Sequence, residues 1–334
     1  MQKVFLTGAN GFLGNNIARE LVRRKFIVHA LIQEGTDPGI LGDLDVVRFY
    51  GNLLKPYSLL SGLTGCDYVI HNAGSTSINP ARNSIVKTVN IDGTRNLLNL
   101  LIDHPVKRII HVGTANTFGF GTKEHPGDET MPYKGARYKL DYMDSKMEAQ
   151  KLVLSYYQQY HLPVLIVNPT FMVGPNDPGP TSNEMIRQIA EGRLPGYTRG
   201  GRCFVYVGDV SIAIVNALTM GRLGESYILG NANLTYKEAF RLMSDTIGVK
   251  APEIPVPGLL AITVGAFLSG LSRIIPGFRP RFTLAIAKVS CDEQYFSAQK
   301  AISELALPQT PMDRAIRESY HWLLDNGKIS LGKK

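Results

Sequence analysis

The sequence predicts an α/β protein with a doubly wound parallel sheet, joined to a smaller second lobe. Short apolar stretches alternate with amphipathic ones through about residue 168, as expected when helices cover both faces of a parallel sheet. A glycine-rich turn, Thr7 to Gly14, joins the first apolar stretch to the first amphipathic one. The 334 residues exceed a typical domain of roughly 150, which predicts two lobes. A hydrophobic content of 44% is ample for a sizeable core.

The first predicted unit is a strand, a turn and a helix at the start of the chain. A buried strand over Lys3 to Leu6 leads into three glycines, Gly8, Gly11 and Gly14. The first permits a tight turn, the second allows backbone to approach a phosphate, and the third lets the helix lie close to the strand. Helix amides and the helix dipole then favour an anion. Glycines are also ordinary turn residues, but the second apolar run, Phe26 to Ile32, completes a βαβ unit and favours dinucleotide binding.

A tyrosine and a lysine spaced for chemistry follow much later in the chain. Tyr142 and Lys146 lie four residues apart in a stretch, Tyr138 to Leu154, whose apolar spacing suits a helix, so both leave one face. A phenol titrates near pH 10, roughly three units too high for efficient proton exchange at neutral pH. A neighbouring ammonium and an oxidised nicotinamide both favour the phenolate. The pair therefore predicts carbonyl reduction by hydride transfer, although such a pair also occurs on solvated helix faces.

A threonine follows the apolar strand predicted over Ile109 to Val112. Hydroxyl groups at the carboxyl ends of parallel strands point into the crevice where ligands of doubly wound sheets bind. Thr114 is therefore a candidate to hydrogen-bond the substrate oxygen and stabilise its developing charge. A threonine in this position is also a common capping or turn residue, and that alternative stays open.

Taken together, these motifs resemble the extended short-chain dehydrogenase/reductases of the NAD-dependent epimerase/dehydratase group. Within that group the sequence is most similar to the dihydroflavonol-reductase-like and 3β-hydroxysteroid-dehydrogenase-like branches, and the resemblance implies a Rossmann fold. It covers roughly residues 1–245 and is carried, in order, by Thr7-Gly8-Ala9-Asn10-Gly11-Phe12-Leu13-Gly14, His71-Asn72-Ala73-Gly74, Val89-Asn90-Ile91-Asp92-Gly93-Thr94, Thr114 placed five before Gly119, Tyr142-x-x-x-Lys146, Asn168-Pro169-Thr170 with Val173-Gly174-Pro175, and Tyr206-Val207-Gly208-Asp209-Val210.

The resemblance implies a role for each matching residue. Tyr142 is the expected proton donor and acceptor, Lys146 holds the nicotinamide ribose and lowers the tyrosine pKa, and Thr114 replaces the family's usual serine. Asn90 is expected to support the fourth strand from the next helix. The implied cofactor-binding residues are Gly8, Asn10, Gly11, Phe12, Leu13, Gln33, Asn52, Leu53, Ala73, Gly74, Tyr142, Lys146, Pro169 and Phe171. The substrate pocket is expected to include Thr76, Asn116, Met172, Arg202 and Phe204, with no metal.

The choice between NAD and NADP rests on the end of the second strand. NAD users of this fold place an acid there and NADP users an arginine, but Ile32 and Gln33 occupy these positions. The missing acid and the basic chain favour NADP, whereas Glu34 favours NAD, so NAD stays open. Asn52 stands where the family commonly has an aspartate against adenine, and its amide still offers an acceptor and a donor.

A proline and glycine cluster, Gly174 to Pro180, predicts the domain boundary. We expect an NAD(P)-binding Rossmann domain over residues 1–175 and a substrate-binding lobe over 176–330. Because the lobes of extended members are interleaved, segments near 204–230 are expected to return to the first domain. The predicted function is an NAD(P)-dependent oxidoreductase that interconverts a ketone or aldehyde and an alcohol on a small to medium apolar substrate.

Two alternatives remain within this fold. The first is a nucleotide-sugar epimerase or dehydratase with tightly bound NAD. No clear cluster of cations for a diphosphate is evident, although Arg187, Arg193 and Arg202 are candidates. The second is a cofactor-sensing protein without turnover, which the intact Tyr142 and Lys146 pair argues against.

The charge and the cysteine content of the chain indicate which partners and which cellular compartment to expect. The net charge of +8 raises the question of nucleic acid, but the basic residues are scattered without interleaved aromatic motifs, so no nucleic-acid partner is expected. Three widely spaced cysteines without metal-ligand spacing indicate a reducing, cytoplasmic location. The chain enters its first strand almost at once, so no signal peptide is expected. The resemblance implies a homodimer.

One apolar segment, residues 258–277, does not belong to any of these motifs. Its 15 uncharged residues from Gly258 to Ser272 are too few for the roughly 20 that cross a bilayer. We expect a helix buried in the substrate lobe or covering an apolar pocket. The alternative is an interfacial helix that contacts a membrane, with Arg273, Arg279 and Arg281 near lipid headgroups.

Overall fold

A computed structural model describes residues 1–330 except Pro180, Pro276, Arg279 and Arg281. For Arg273 it describes the backbone but not the side chain. Within this part of the chain the strands are β1 (Lys3–Thr7), β2 (Ile27–Gln33), β3 (Val47–Gly51), β4 (Tyr68–His71), β5 (Arg108–Val112), β6 (Val164–Pro169), β7 (Phe171–Val173), β8 (Gly201–Tyr206), β9 (Ser226–Leu229), β10 (Ala232–Thr235) and β11 (Glu293–Gln294).

The α-helices of the described residues alternate with these strands in the first half of the chain and predominate after it. They are α1 (Phe12–Arg23), α2 (Leu60–Leu63), α3 (Ser84–Lys87), α4 (Gly93–Asp103), α5 (Asp141–Tyr160), α6 (Glu184–Ala190), α7 (Val207–Asn216), α8 (Tyr236–Ile247), α9 (Gly258–Ile274), α10 (Leu284–Ser290), α11 (Gln299–Leu305) and α12 (Met312–Asp325).

Seven strands form one parallel sheet in the order β3-β2-β1-β4-β5-β6-β9. The predicted doubly wound α/β fold is confirmed. From β1 the chain proceeds outward to β2 and β3, and later returns to place β4 on the other side of β1. The direction of winding therefore changes between β1 and β4, and the crevice at their carboxyl ends is the place where such sheets bind ligands.

Helices cover both faces of this sheet. Apolar side chains of α1, α7 and α11 pack with one face, and those of α4 and α5 pack with the other. Because both faces are buried, the strands carry nearly continuous apolar runs rather than alternating ones. Every residue of β4 is buried, for example.

The helix that carries the catalytic candidates starts later than its sequence pattern predicts. Tyr138 ends a 3₁₀ turn, Gly135–Tyr138, and Lys139 adopts a left-handed conformation with φ 54°, which interrupts the helical path. Helix α5 then begins at Asp141 and continues to Tyr160. Tyr142 therefore lies in its first turn, and Lys146 lies one turn further along the same helix.

The second lobe is built around β8. This strand pairs with β7 and β11 in parallel and with β10 in antiparallel orientation. Helices α6, α8 and α12 supply much of the lobe's apolar core. The chain passes from β8 back to the large sheet at β9 and returns at β10, while the boundary near residue 175 stays a prediction.

Helix α9 does not match the expectation of a buried helix. Ala261 and Gly265 face the protein, but Leu259 is 80% exposed, Phe267 is 68% exposed and Ile274 is 77% exposed. The expectation failed because an apolar helix does not itself specify how much of its circumference other elements cover. Of the three arginines predicted beside this helix, Arg279 and Arg281 lie outside the described residues, as does the side chain of Arg273.

Candidate active site

The glycine turn between β1 and α1 is packed too closely for side chains at two of its three glycines. Gly8 has φ +68°, and a Cβ there would lie 2.8 Å from the Cα of Ala73. A Cβ on Gly14 would lie 1.9 Å from the carbonyl oxygen of Gly8, so the helix can approach the turn only with glycine there. Gly11 differs, since the nearest atom to its Cβ position, the same carbonyl oxygen, is 3.4 Å away.

The start of α1 suits an anion. Gly11 is the N-cap residue and supplies no side-chain cap, so the first amides of α1 are not bonded by a capping side chain. Unpaired amides and the helix dipole at such an end favour a phosphate group. Phe12 and Leu13 are buried, so their amides rather than their side chains are the groups suited to the cofactor. These residues fit the pyrophosphate of a dinucleotide.

A buried histidine fastens the loop after β4 to the end of β1. The Thr94 hydroxyl donates to the carbonyl oxygen of Asn90 at 2.7 Å, so it must accept from Nε2–H of His71 at 3.0 Å. His71 Nδ1 then accepts from the Thr7 hydroxyl at 2.9 Å, and that hydroxyl accepts from the Ala73 amide at 3.0 Å. Burial, together with the charge of a nearby lysine, lowers the pKa of His71 to about 3. The ring is therefore neutral, and Ala73 is fixed beside the glycine turn.

Asn90 supports the next residues of the same loop. It lies in a π-helical turn, Thr88–Asp92, between α3 and α4. Its Oδ1 accepts from the Ser75 amide at 2.7 Å, while Nδ2 donates to the Ser75 carbonyl at 3.0 Å and to the Ser145 hydroxyl at 2.9 Å. Because Ser145 precedes Lys146 on α5, this one amide couples the loop to the helix that carries the catalytic candidates.

Lys146 lies at the carboxyl end of β5 rather than in solvent. Its Nζ donates to the carbonyl oxygen of Val112 at 2.9 Å, and its side chain is buried. A Cβ on Gly74 would lie 3.3 Å from this Nζ, so the glycine leaves space beside the ammonium. Burial lowers the pKa of Lys146 to about 8.

The Thr114 hydroxyl lies close enough to the phenol of Tyr142 to act on its pKa. Burial raises the pKa of Tyr142, while the Thr114 hydrogen bond and the positive charge of Arg202 act in the opposite direction. Burial is the largest of these effects, and Lys146 is not among the groups that shift this pKa, so its role beside a bound nicotinamide stays a prediction. The structure thus brings Tyr142 and Thr114 together and adds Arg202 as the nearby cation.

A second buried network holds the loop that carries Thr114. Asn168 Nδ2, at the end of β6, donates to the Thr114 carbonyl at 3.1 Å, to the Thr117 hydroxyl at 3.2 Å and to Gln150 Oε1 at 2.8 Å. Gln150 lies on α5 one turn after Lys146. The sequence motif included Asn168, but Gln150 and Thr117 were missed, because their positions carry no local pattern.

The predicted adenosine side is built from short polar contacts. Asn10 Nδ2 donates to the Thr36 hydroxyl at 2.9 Å, which ties the glycine turn to the loop after β2. Asn52 Oδ1 accepts from the Leu54 amide at 2.9 Å, so Nδ2 is the atom of this side chain best suited to a base. Leu53 is buried behind it.

The end of β2 offers no carboxylate at the position of the expected acid. Ile32 is fully buried, and Gln33 after it is exposed. The carboxylate of Glu34 lies 3.5 Å from the ammonium of Lys55, and both side chains are more than half exposed. The negative charge of Glu34 is therefore partly offset by the positive charge of Lys55.

Arg202 on β8 is held by neutral groups. Its Nε donates to the Tyr236 hydroxyl at 2.9 Å, one Nη donates to Gln294 Oε1 at 2.9 Å, and the guanidinium lies 5.0 Å from the ring centre of Phe171. Within the described part of the chain, no carboxylate forms an ion pair with it. The partners Tyr236 and Gln294 were not found by sequence reasoning, because they lie 34 and 92 residues away.

The other predicted pocket residues differ in how exposed their side chains are. Phe171 and Met172 follow Pro169 at the carboxyl edge of the sheet and are half-buried. Phe204 is fully buried and packs edge-on against Phe171, so its contact with a ligand is indirect. The side chains of Thr76 and Asn116 are exposed and half-buried, respectively.

Metal sites and membrane-spanning helices are two further features to consider. Among the residues that the structure describes, no three histidine, cysteine or acidic side chains are grouped so as to hold a metal ion. Over the same residues, no helix combines the length and the apolar character needed to cross a membrane.

Comparisons with known proteins identify the family and the fold of the chain. The sequence profile described as the NAD dependent epimerase/dehydratase family matches residues 4–230. A protein named "Putative dihydroflavonol 4-reductase" from Synechocystis sp. is 29% identical over 332 residues, which cover 97% of this chain and 95% of that protein. Sterol demethylase protein B of Methylococcus capsulatus is 26% identical, with 97% and 99% coverage. The crystal structure of gox2253 superposes with a TM-score of 0.86 at 30% identity, covering 99% of this chain and 100% of that one.

Proposed function

The chain belongs to the NAD dependent epimerase/dehydratase family, and from that premise we propose that it is an NAD(P)-dependent reductase acting on a ketone or aldehyde of a small to medium apolar molecule. The observation that carries the proposal is the placement of Tyr142, Thr114 and Lys146. All three lie at the carboxyl edge of the parallel sheet, in the same crevice as the uncapped start of α1. This is where the fold presents a ligand to its loops.

Each of these residues has one task in the proposed reaction. The nicotinamide cofactor, when bound, supplies the hydride in reduction and accepts it in oxidation. Tyr142 donates its phenolic proton to the carbonyl oxygen while that oxygen gains negative charge. Thr114 donates a hydrogen bond to the same oxygen and orients it. The phenolate that remains is stabilised by the charge of Arg202 until solvent returns the proton.

Lys146 and the two loop networks hold this arrangement in place. The ammonium bonded to the Val112 carbonyl lies beside Gly74, where it can also donate to the hydroxyls of a ribose. Asn90 and Asn168 fix the loops on either side of it. Rigid support of this kind keeps reacting groups within hydrogen-bonding distance, which is a large part of catalytic rate enhancement.

We propose NADPH as the preferred cofactor, with NADH as a weaker alternative. Ile32 removes the carboxylate that would contact a ribose 2′-hydroxyl and repel a 2′-phosphate. Lys55 lies near enough to Glu34 to offset its charge, and it is an exposed cation at the same end of β2. Both features favour an additional phosphate over a free hydroxyl.

The charges near the pocket argue against a sugar-nucleotide epimerase or dehydratase. A nucleoside diphosphate needs several cations, and the sequence offers Arg187, Arg193 and Arg202. The structure pairs the first with Glu184 and Glu191, and the second with Glu191. Arg202 alone keeps an uncompensated charge, which matches one anionic or strongly polar group close to the substrate carbonyl.

The function is tested by supplying ketones, aldehydes and sugar nucleotides with each reduced cofactor and following nicotinamide absorbance. We expect NADPH oxidation with an apolar ketone that carries a carboxylate near the carbonyl, and little with sugar nucleotides. Protein that purifies with one equivalent of NAD and converts a sugar nucleotide without net cofactor oxidation would establish the epimerase or dehydratase alternative. Cofactor binding without turnover over the whole panel would indicate a sensing protein.

A further inference from the structure

Helix α9 presents one continuous apolar face to solvent. At 100° per residue, the exposed positions fall within about 160° of the helix circumference. We call this surface the apolar face of α9, and its members are Leu259, Leu260, Thr263, Val264, Ala266, Phe267 and Ile274. Each side chain except that of Thr263 is apolar, and the Thr263 hydroxyl donates to the Leu259 carbonyl within the helix at 2.9 Å. A surface of this kind on a folded protein indicates a binding partner.

The opposite side of α9 fixes the orientation of this face. A Cβ on Gly265 would lie 2.8 Å from the Cβ of Ala287 on α10, so the two helices are in close contact. The Ser269 hydroxyl accepts from the Leu284 amide at 2.9 Å, which ties α9 to the start of α10. Rotation of α9 to bury its apolar face would break both contacts. The apolar face is therefore a fixed surface of the fold.

The charge of this region identifies the kind of partner. From Ile254 to Cys291 the sequence contains no aspartate or glutamate, but it contains the basic residues Arg273, Arg279, Arg281 and Lys288. An apolar helix face with cations and no acids in its own segment suits a surface that is apolar inside and negatively charged outside. A second copy of the same chain would bring like charges together, so the charge pattern disfavours self-association through this face.

We propose that the apolar face of α9 inserts into the interfacial region of an anionic phospholipid membrane. The helix lies in the plane of the membrane, because its 17 residues are too few to cross the hydrocarbon core, which takes about 20. Leucine and phenylalanine side chains enter the boundary between headgroups and acyl chains, and the positive charge of the segment attracts the lipid phosphates.

The same helix pair is packed next to the candidate active site. Ala285 and Val289 of α10 pack with a cluster against which Tyr142 also lies. Asn79, in the loop that follows Ala73 and Thr76, donates from Nδ2 to the carbonyl oxygen of Pro280 at 2.8 Å. A membrane in contact with α9 would therefore be separated from the Tyr142 cluster by the α9 and α10 pair alone. This arrangement suits an apolar substrate that reaches the site from the lipid.

The test is co-sedimentation of the full chain with vesicles of phosphatidylcholine, with and without phosphatidylglycerol, at moderate salt. We expect the wild-type protein to pellet with the anionic vesicles, and less with the neutral ones. Phe267→Glu and Leu259→Glu should each lower the bound-to-free ratio about tenfold or more, since each places a charge where an apolar group inserts. Ile85→Glu is the matched control, because Ile85 and Phe267 are each 68% exposed but lie in different regions. Circular dichroism and thermal unfolding confirm that each variant is folded.

Four results would overturn the proposal. The first is wild-type protein that stays in the supernatant with anionic vesicles, and the second is folded Phe267→Glu protein that pellets as wild type does. The third is a bound-to-free ratio that falls equally in Ile85→Glu. Light scattering without lipid provides the fourth test, since a dimer that Phe267→Glu converts to a monomer would assign the face to a second copy. None of these readouts requires turnover, so the membrane proposal can fail while the proposed reductase stands.

Discussion

Lys146 donates to the carbonyl oxygen of Val112 at 2.9 Å, which places a buried ammonium at the carboxyl end of strand β5. This relationship has two consequences. The backbone orients the ammonium beside Gly74, which supports its proposed contact with a ribose hydroxyl. Its charge is also costly to bury, which lowers its pKa to about 8 and gives the fold a measurable dependence on pH.

The first prediction concerns that pH dependence. Unfolded lysine holds its proton up to a pKa of 10.5, whereas folded Lys146 releases it near 8. Between these values the unfolded state binds more protons, so the free energy of unfolding rises with pH. Between pH 8 and 10.5, the free energy of unfolding of wild type should rise by up to roughly 3 kcal/mol relative to that of Lys146→Met. Below pH 8 the difference between the two proteins should not change with pH in this way. Urea unfolding at several pH values measures this difference, with Lys151→Met on the same helix as the control. A difference that stays flat through the window contradicts the burial of the charge.

The second prediction separates a structural glycine from a binding glycine. A Cβ at position 14 meets the Gly8 carbonyl at 1.9 Å, so Gly14→Ala should disrupt the turn and lower thermal stability. At Gly11 the nearest atom is 3.4 Å away, and its φ of −82° is accessible to alanine. Gly11→Ala should therefore fold normally but bind cofactor about tenfold or more weakly, because a methyl group replaces space for phosphate. Thermal unfolding and cofactor fluorescence titration test the pair. Unchanged cofactor affinity in Gly11→Ala would show that the phosphate of the cofactor does not lie next to this residue.

The third prediction concerns two buried histidines whose rings lie 5.3 Å apart. His71 bonds through both nitrogens, but neither nitrogen of His111 reaches a partner among the described residues. An unpaired buried N–H costs about 1–3 kcal/mol, so His111→Phe should stabilise the fold by about 1 kcal/mol. Burial holds the pKa of His111 well below 6.5, so wild type loses stability as pH falls through 6.5 and the variant's advantage should grow.

His71→Phe is the matched comparison, because it removes the same ring type but breaks hydrogen bonds to Thr7 and Thr94. It should destabilise the fold by roughly 1–3 kcal/mol. Equal destabilisation by both substitutions would show that His111 has a partner in solution.

The fourth prediction tests Arg202 as the group that recognises an anion on the substrate. Arg202→Gln should lower kcat/KM about tenfold to a hundredfold for a ketone with a carboxylate, from the usual worth of a charged hydrogen bond. The matching ester should be affected much less, and cofactor affinity should not change. Arg193→Gln is the control, because Arg193 is already paired with Glu191. Equal losses on acid and ester would show that Arg202 does not bind an anion of the substrate and acts only on Tyr142 or through its contacts with Tyr236 and Gln294.

Local sequence patterns were sufficient for the parts of the site that lie on consecutive residues. The strand, glycine turn and helix from Lys3 to Arg23 follow from apolar periodicity and from turns that need glycine. The spacing of Tyr142 and Lys146 placed both side chains on one helix. Only the start of that helix was misplaced, by the left-handed Lys139.

Contacts between distant residues could not be predicted in this way. Arg202 is held by side chains 34 and 92 residues away, and neither position carries a local pattern. The pKa of Tyr142 likewise depends on burial and on the neighbours Thr114 and Arg202, which no local pattern reveals. For α9, the apolar composition did not show which side of the helix packs against the rest of the protein.

The most direct test of the central claim is the turnover of Tyr142→Phe, measured together with its affinity for the cofactor. Removing the proton donor should lower turnover about 10² or more, while the cofactor binds as in wild type. Tyr160→Phe, at the other end of α5, is the control for loss of a phenol from this helix. Wild-type turnover in Tyr142→Phe would contradict the assignment of Tyr142 as the acid and base.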